Sequence, residues 1–153
     1  MMLQIALLVA TVLVAVAGAN ALRQVVERPT RRDVLAVPIV RVRRTMRRYG
    51  LLLGIIEGGA LVALLIALFR MPPGSAEMWL IGLAALCVAG MMGVWAAWLR
   101  PLDITISKWL PEALPPDWAH HHARRSTFHR VRVTLAIIAL ALLLMGLFAR
   151  PLG

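Results

Sequence analysis

Glu57 sits in the run IIEGGA, part of a long apolar stretch, and a carboxylate inside a bilayer is costly unless protonated or paired. Two residues that would answer it, His129 and Arg132, stand three apart where the last apolar stretch begins. On a helix that spacing puts both on one face. Asp103 follows the third apolar stretch and Asn20 lies near the end of the first. If the apolar stretches bundle, Asn20, Glu57, Asp103, His129 and Arg132 line one polar pocket in its cytoplasmic half. Trp98 or Trp109 would be its apolar wall. The alternative is a Glu57–Arg132 ion pair that sets helix register, with the other residues acting as interface anchors.

Other chemistries find little support. His120, His121 and His122 invite a metal reading, but consecutive helical residues point about 100° apart and cannot all face one ion. There is no HExxH, nucleophile elbow, P-loop or dinucleotide fingerprint, so no metal or cofactor is expected. The single cysteine, Cys87, lies in an apolar run and reads as a small packing residue.

The elements that must position these groups are membrane helices. Of 153 residues, 61% are hydrophobic and 16% charged, against roughly 25% charged in soluble domains. Mean hydropathy is +0.81. The net charge of +10 would suggest nucleic acid in a soluble protein. In a membrane protein it points instead to cytoplasmic loops facing anionic lipid headgroups, and no nucleic-acid partner is expected. The expected fold is all-α: one membrane domain over 1–153, a four-helix transmembrane bundle with spans at about 3–22, 49–69, 77–99 and 131–149.

Orientation follows from counting basic residues. The connection 23–48 holds nine arginines, the connection 100–130 with the mouth of the last span holds six basic residues, and the opposite side has only Arg70 and Arg150. Both basic connections are therefore expected in the cytoplasm and both termini outside, in the cell's inner membrane. In the first connection, Pro29 and Pro38 interrupt any long helix, and the alternation from Ile39 to Arg48 suits either a helix lying on the lipid surface or a solvated loop. Small residues thin two of the helices: Gly58, Gly59, Ala63 and Ala67 in the second span, and Ala85, Ala89, Gly93 and Ala97 in the third. Such seams let helix backbones approach closely. Trp79, Trp95 and Trp98 fit interfacial aromatic belts.

Between Trp98 and Arg132 the prolines 101, 111, 115 and 116 break any single helix. ITISKWL reads as a short interfacial helix with Trp109 at headgroup depth. MPPGS, between the second and third spans, reads as a turn. Asp117 is a plausible N-cap for a helix that opens at Trp118 and continues through His129 into the last span.

The run PLD…W…LPPDW…R…FHRVRVTLAIIALALLL resembles the end of a family of small four-span bacterial and fungal membrane proteins, the anthrone oxygenase-like family. Pro101-Leu102 matches its Pro-apolar-Asn element, with Asp103 where asparagine is usual. Trp109, Trp118, His129 and Arg132 occupy the later positions of its pattern, which adds Trp118 to the candidate binding residues. An acidic residue in span two, here Glu57, also occurs in relatives. The resemblance implies a cofactor-independent oxygenase acting on an anthrone, with Glu57 or His129 as base and Arg132 steadying the enolate.

Two functions are therefore expected as alternatives. One is a small membrane subunit or interaction protein whose seams pack on partner helices, or on further copies of itself, and whose basic loops meet acidic surfaces or anionic lipid. The other is an enzyme of the anthrone oxygenase-like kind, taking a hydrophobic polycyclic or quinone-like substrate from the bilayer.

Overall fold

The computed structural model describes residues 2–26, 37–109 and 115–148, and of residues 37–51 and 53 the backbone alone. Pro29, Pro111, the connection 27–36 and the end of the last expected span at 149 lie outside the described residues, as do the arginine side chains of 41–48. All regular structure among the described residues is helical. In chain order, α1 is Met2–Val26, α2 Val37–Phe69 and α3 Ala76–Val94; a π-helical turn, Trp95–Leu99, leads into α4, Arg100–Ser107, and α5 is Trp118–Phe148.

Among the described residues three stretches are long and apolar enough to cross a bilayer: Leu3–Val26, Ala76–Ser107 and Trp118–Phe148. In α2 the segment Gly54–Phe69 is a shorter apolar helix. The chain is a multi-pass membrane protein, and much of its apolar surface faces outward to lipid: Ile55, Leu86, Ile137 and Met145 are all more than half exposed in the bundle.

Each long helix packs on two others. α1 lies against α2 and α5, and α3 lies against α2 and α5, which closes a ring with α2 and α5 on one diagonal. Its core is built from small and medium side chains, among them Ala10, Val14, Ala60, Leu64, Ala84, Val88, Ala139 and Leu143. Small side chains bring backbones together, and van der Waals contact is what holds helices where lipid is as apolar as leucine. α1 and α5 approach closely at Gly18, where an added Cβ would lie 3.0 Å from the Cβ of Ala136. The MPPGS segment is indeed a turn. Gly74 takes φ +82°, open to glycine at little cost, and Ser75 caps α3 by accepting a hydrogen bond from the Met78 amide at 3.2 Å.

Three expectations about helix boundaries change. The stretch expected to lie on the lipid surface or in a loop, 39–48, is the first part of α2, continuous with the span. Pro38 does not interrupt it because Pro38 sits in the first helical turn, where an amide proton has no intrahelical partner. At 33 residues α2 is about 50 Å long, well beyond the roughly 30 Å of hydrocarbon.

The helix of the third expected span does not stop at Leu99, and ITISKWL does not start a helix of its own: the chain stays helical through Pro101 to Ser107. Pro101 lacks an amide proton and its ring crowds the carbonyl one turn back. The helix absorbs this by widening for one turn, and the Arg100 amide donates to the Trp95 carbonyl five residues earlier.

That π turn resets the helical phase. Ile81 to Val88 and Ala84 to Met91 are buried pairs seven residues apart; the next buried residue is Leu99, eight on, and then Ile106, seven on. In an unbroken α-helix Trp98 would have faced the core. Here Leu99 takes that place and Trp98 is 46% exposed.

The expected seam on α3 divides. Ala85 is buried, whereas Ala89, Gly93 and Ala97 are exposed on the outside of the chain's own bundle, and no atom lies within 4 Å of a Cβ built on Gly93. On α2, Ala67 is buried, and a Cβ on Gly59 would touch Leu13 of α1 at 3.6 Å.

Candidate functional site

The buried face of α5 reads Arg125, His129, Arg132, Ala136, Ala139, Leu143, Gly146, in alternating steps of four and three. This is the heptad stripe of a helix packed in a bundle. Its first three members are polar, so the interior carries charge and imidazole at one end and hydrocarbon at the other.

Arg132 reaches across the diagonal. Its Nη2 donates to Glu57 Oε1 on α2, and both side chains are only 3% exposed. This pairing answers the cost of Glu57 lying in an apolar helix, because each charge is the other's compensation in a medium that solvates neither. Two turns earlier on the same face, Arg125 Nε donates to Asp103 Oδ1 of α4 at 2.6 Å, with the two side chains 10% and 13% exposed. This second pair ties the continuation of the third span to the start of the last.

His129 lies between the two pairs. It is 6% exposed, and neither Nδ1 nor Nε2 has a hydrogen-bond partner among the described residues. Arg132 Nε is likewise buried without a partner.

Of the expected pocket residues, the structure joins Glu57 with Arg132 and places His129 one turn from Arg132 on the same face. Asp103 does not join them, because it is engaged by Arg125. Asn20 is half-buried beside Ala17 and Ala21 of α1 and makes no side-chain hydrogen bond among the described residues. Trp98 is no wall of the site: the π turn carries it outward, where its ring stacks on Phe128 with centroids 5.7 Å apart. Trp109 stacks on His121 at 5.4 Å, and Trp118 is half-buried at the opening of α5.

Asp117 stands where the N-cap was expected, with its carbonyl accepting from the amides of His120 and His121. Its carboxylate lies 3.7 Å from His121 Nε2. The rings of His120 and His121 are 6.2 Å apart and inclined at 54°.

Arg125 is the site residue that sequence reasoning missed. The signal was available: stepping back four from His129 along the stripe lands on it. By sequence alone it reads only as one of the basic residues of the connection 100–130.

Chemically, the arrangement is a set of two carboxylates and two guanidiniums about a buried imidazole whose nitrogens have no partner among the described residues. No family model, curated protein or solved structure matches this chain.

Proposed function

We propose that the chain is a small integral membrane subunit that packs on partner membrane helices through the outer face of α3 and the π turn that follows it. Its basic connections would lie on the cytoplasmic side of an inner membrane with both termini outside, and meet anionic lipid headgroups or a partner's acidic surface. The observation that carries this is the position of Ala89, Gly93 and Ala97. They line up at four-residue steps, yet the chain's own bundle leaves them uncovered. Small residues in a row are what helices use to approach closely in lipid, and three of the four in this seam are covered by none of the described residues.

The test is purification in mild detergent, with and without Gly93→Leu. The wild type should co-purify with other chains or migrate as an oligomer. The variant should lose those companions while keeping its helicity, since the space at Gly93 is open. A wild-type chain that is monomeric and alone would count heavily against the reading.

A second reading is favoured by a different observation, the buried and unpartnered His129 beside the Glu57–Arg132 pair. A base and a guanidinium in a dry interior suit a cofactor-independent enzyme of the anthrone oxygenase-like kind, drawing a hydrophobic polycyclic or quinone-like substrate from the bilayer. Glu57→Gln and His129→Ala should then each abolish turnover. Full activity in both would reject this assignment.

A further inference from the structure

On the buried face of α5 three polar atoms have no hydrogen-bond partner among the described residues: Nδ1 and Nε2 of His129 and Nε of Arg132. Polar atoms left dry at such positions are rare in native proteins, because each forfeits its bonds to water and regains none. Their chemistry specifies what is needed. Arg132 Nε–H requires an acceptor. A neutral imidazole requires an acceptor at its protonated nitrogen and a donor at the other.

The charges narrow this further. Arg125 is matched by Asp103 and Arg132 by Glu57, so the four ions already balance. A charged guest would enter uncompensated, at high cost inside a membrane protein. A neutral carbonyl only accepts, and an ammonium only donates and is charged. A hydroxyl is neutral and does both. The two imidazole nitrogens lie on opposite edges of the ring, so one oxygen cannot serve both.

The geometry points to a binding site for neutral hydroxyl groups around His129, at least one of them donating to the bare imidazole nitrogen, supplied by water or by an organic hydroxyl compound, between the Asp103–Arg125 and Glu57–Arg132 pairs. The site goes beyond the subunit reading and does not depend on the outer face of α3 being an interface, nor on any turnover. The site lies on the stretch of α5, about 10 Å long, that separates Arg125 from Arg132.

The test is nitrogen-15 solid-state resonance of the histidine side chains in lipid bilayers. His120→Gln, His121→Gln and His122→Gln together leave His129 as the one histidine. In the otherwise wild-type chain the same signals are identified by their loss in His129→Phe, so the assignment survives if the triple variant does not fold. Both ring nitrogens should resonate as hydrogen-bonded. Rapid transfer of magnetisation from water protons to these nitrogens identifies water as the guest. Hydrogen-bonded nitrogens without that transfer, correlated to a proton foreign to the chain, identify an organic hydroxyl. A pyridine-type nitrogen at the unbonded position, or a correlation of either nitrogen to a donor or acceptor of this chain, overturns the site.

Discussion

Glu57 and Arg132, 75 residues apart in the chain, form an ion pair across the diagonal of the bundle with both side chains almost wholly buried. Their helices, α2 and α5, each pack mainly on α1 and α3 rather than on one another. The pair therefore links two elements whose backbones have little direct contact, and it fixes their relative depth and rotation.

Removing one partner should cost much more than removing both. Arg132→Met or Glu57→Leu alone leaves a charge in the apolar interior, at about 3–5 kcal/mol by the behaviour of other buried pairs. The double variant should recover most of that loss. Reversible unfolding in mixed micelles measures all three. Additive losses in the double variant would mean that the two side chains are not coupled.

Gly18 should accept a side chain poorly while Ala136 keeps its methyl. A Cβ there meets the Cβ of Ala136 at 3.0 Å, and a Cβ has no rotamer by which to move aside. Gly18→Val should destabilise by about 1–3 kcal/mol through overpacking. The swap Gly18→Ala with Ala136→Gly exchanges the methyl between the two helices and should restore most of the stability that Gly18→Ala alone removes. Gly58, with nothing within 4 Å of its added Cβ, is the control, and Gly58→Ala should be neutral or slightly stabilising.

The π turn is one residue more than α-helical phase requires, so deleting a residue there should be far better tolerated than deleting one in α3. Without Ala96 the eight-residue step from Met91 to Leu99 becomes seven, and Leu99, Asp103 and Ile106 keep their faces. Without Ala89 everything beyond it turns by about 100° relative to the core. The first deletion should leave a folded, monodisperse protein with Tm within a few degrees of wild type. The second should not. Equal damage from both would show that the widened turn is not a phase correction.

The asymmetry of basic residues sets an expectation for labelling. With Cys87→Ala as background, Ala76→Cys should react with a membrane-impermeant thiol reagent on intact cells, and Ala119→Cys only after permeabilisation. Both positions are exposed in the structure. The reverse pattern would invert the topology and move the polar end of the bundle to the outside.

What the residues determined by themselves is the solvent and the period. Long apolar runs with few charges can only satisfy their backbones in lipid as helices, so the helical class and the membrane setting were legible before any coordinates. So was the shared face of His129 and Arg132, because 3.6 residues per turn is a local property of the chain.

Three things were decided only by the tertiary structure. Glu57 takes Arg132 while Asp103 takes Arg125, because pairing depends on which helices sit on the diagonal and which are adjacent. Trp98 faces outward because of a widened turn, which Pro101 invites but which only packing of Leu99 and Ile106 into the core stabilises. Ala85 is inside while Ala89, Gly93 and Ala97 are outside, because a straight row of small residues has no preferred partner until neighbouring helices choose their sides. Periodicity is written along one helix; rotation and depth are settled between helices, by contacts no single segment contains.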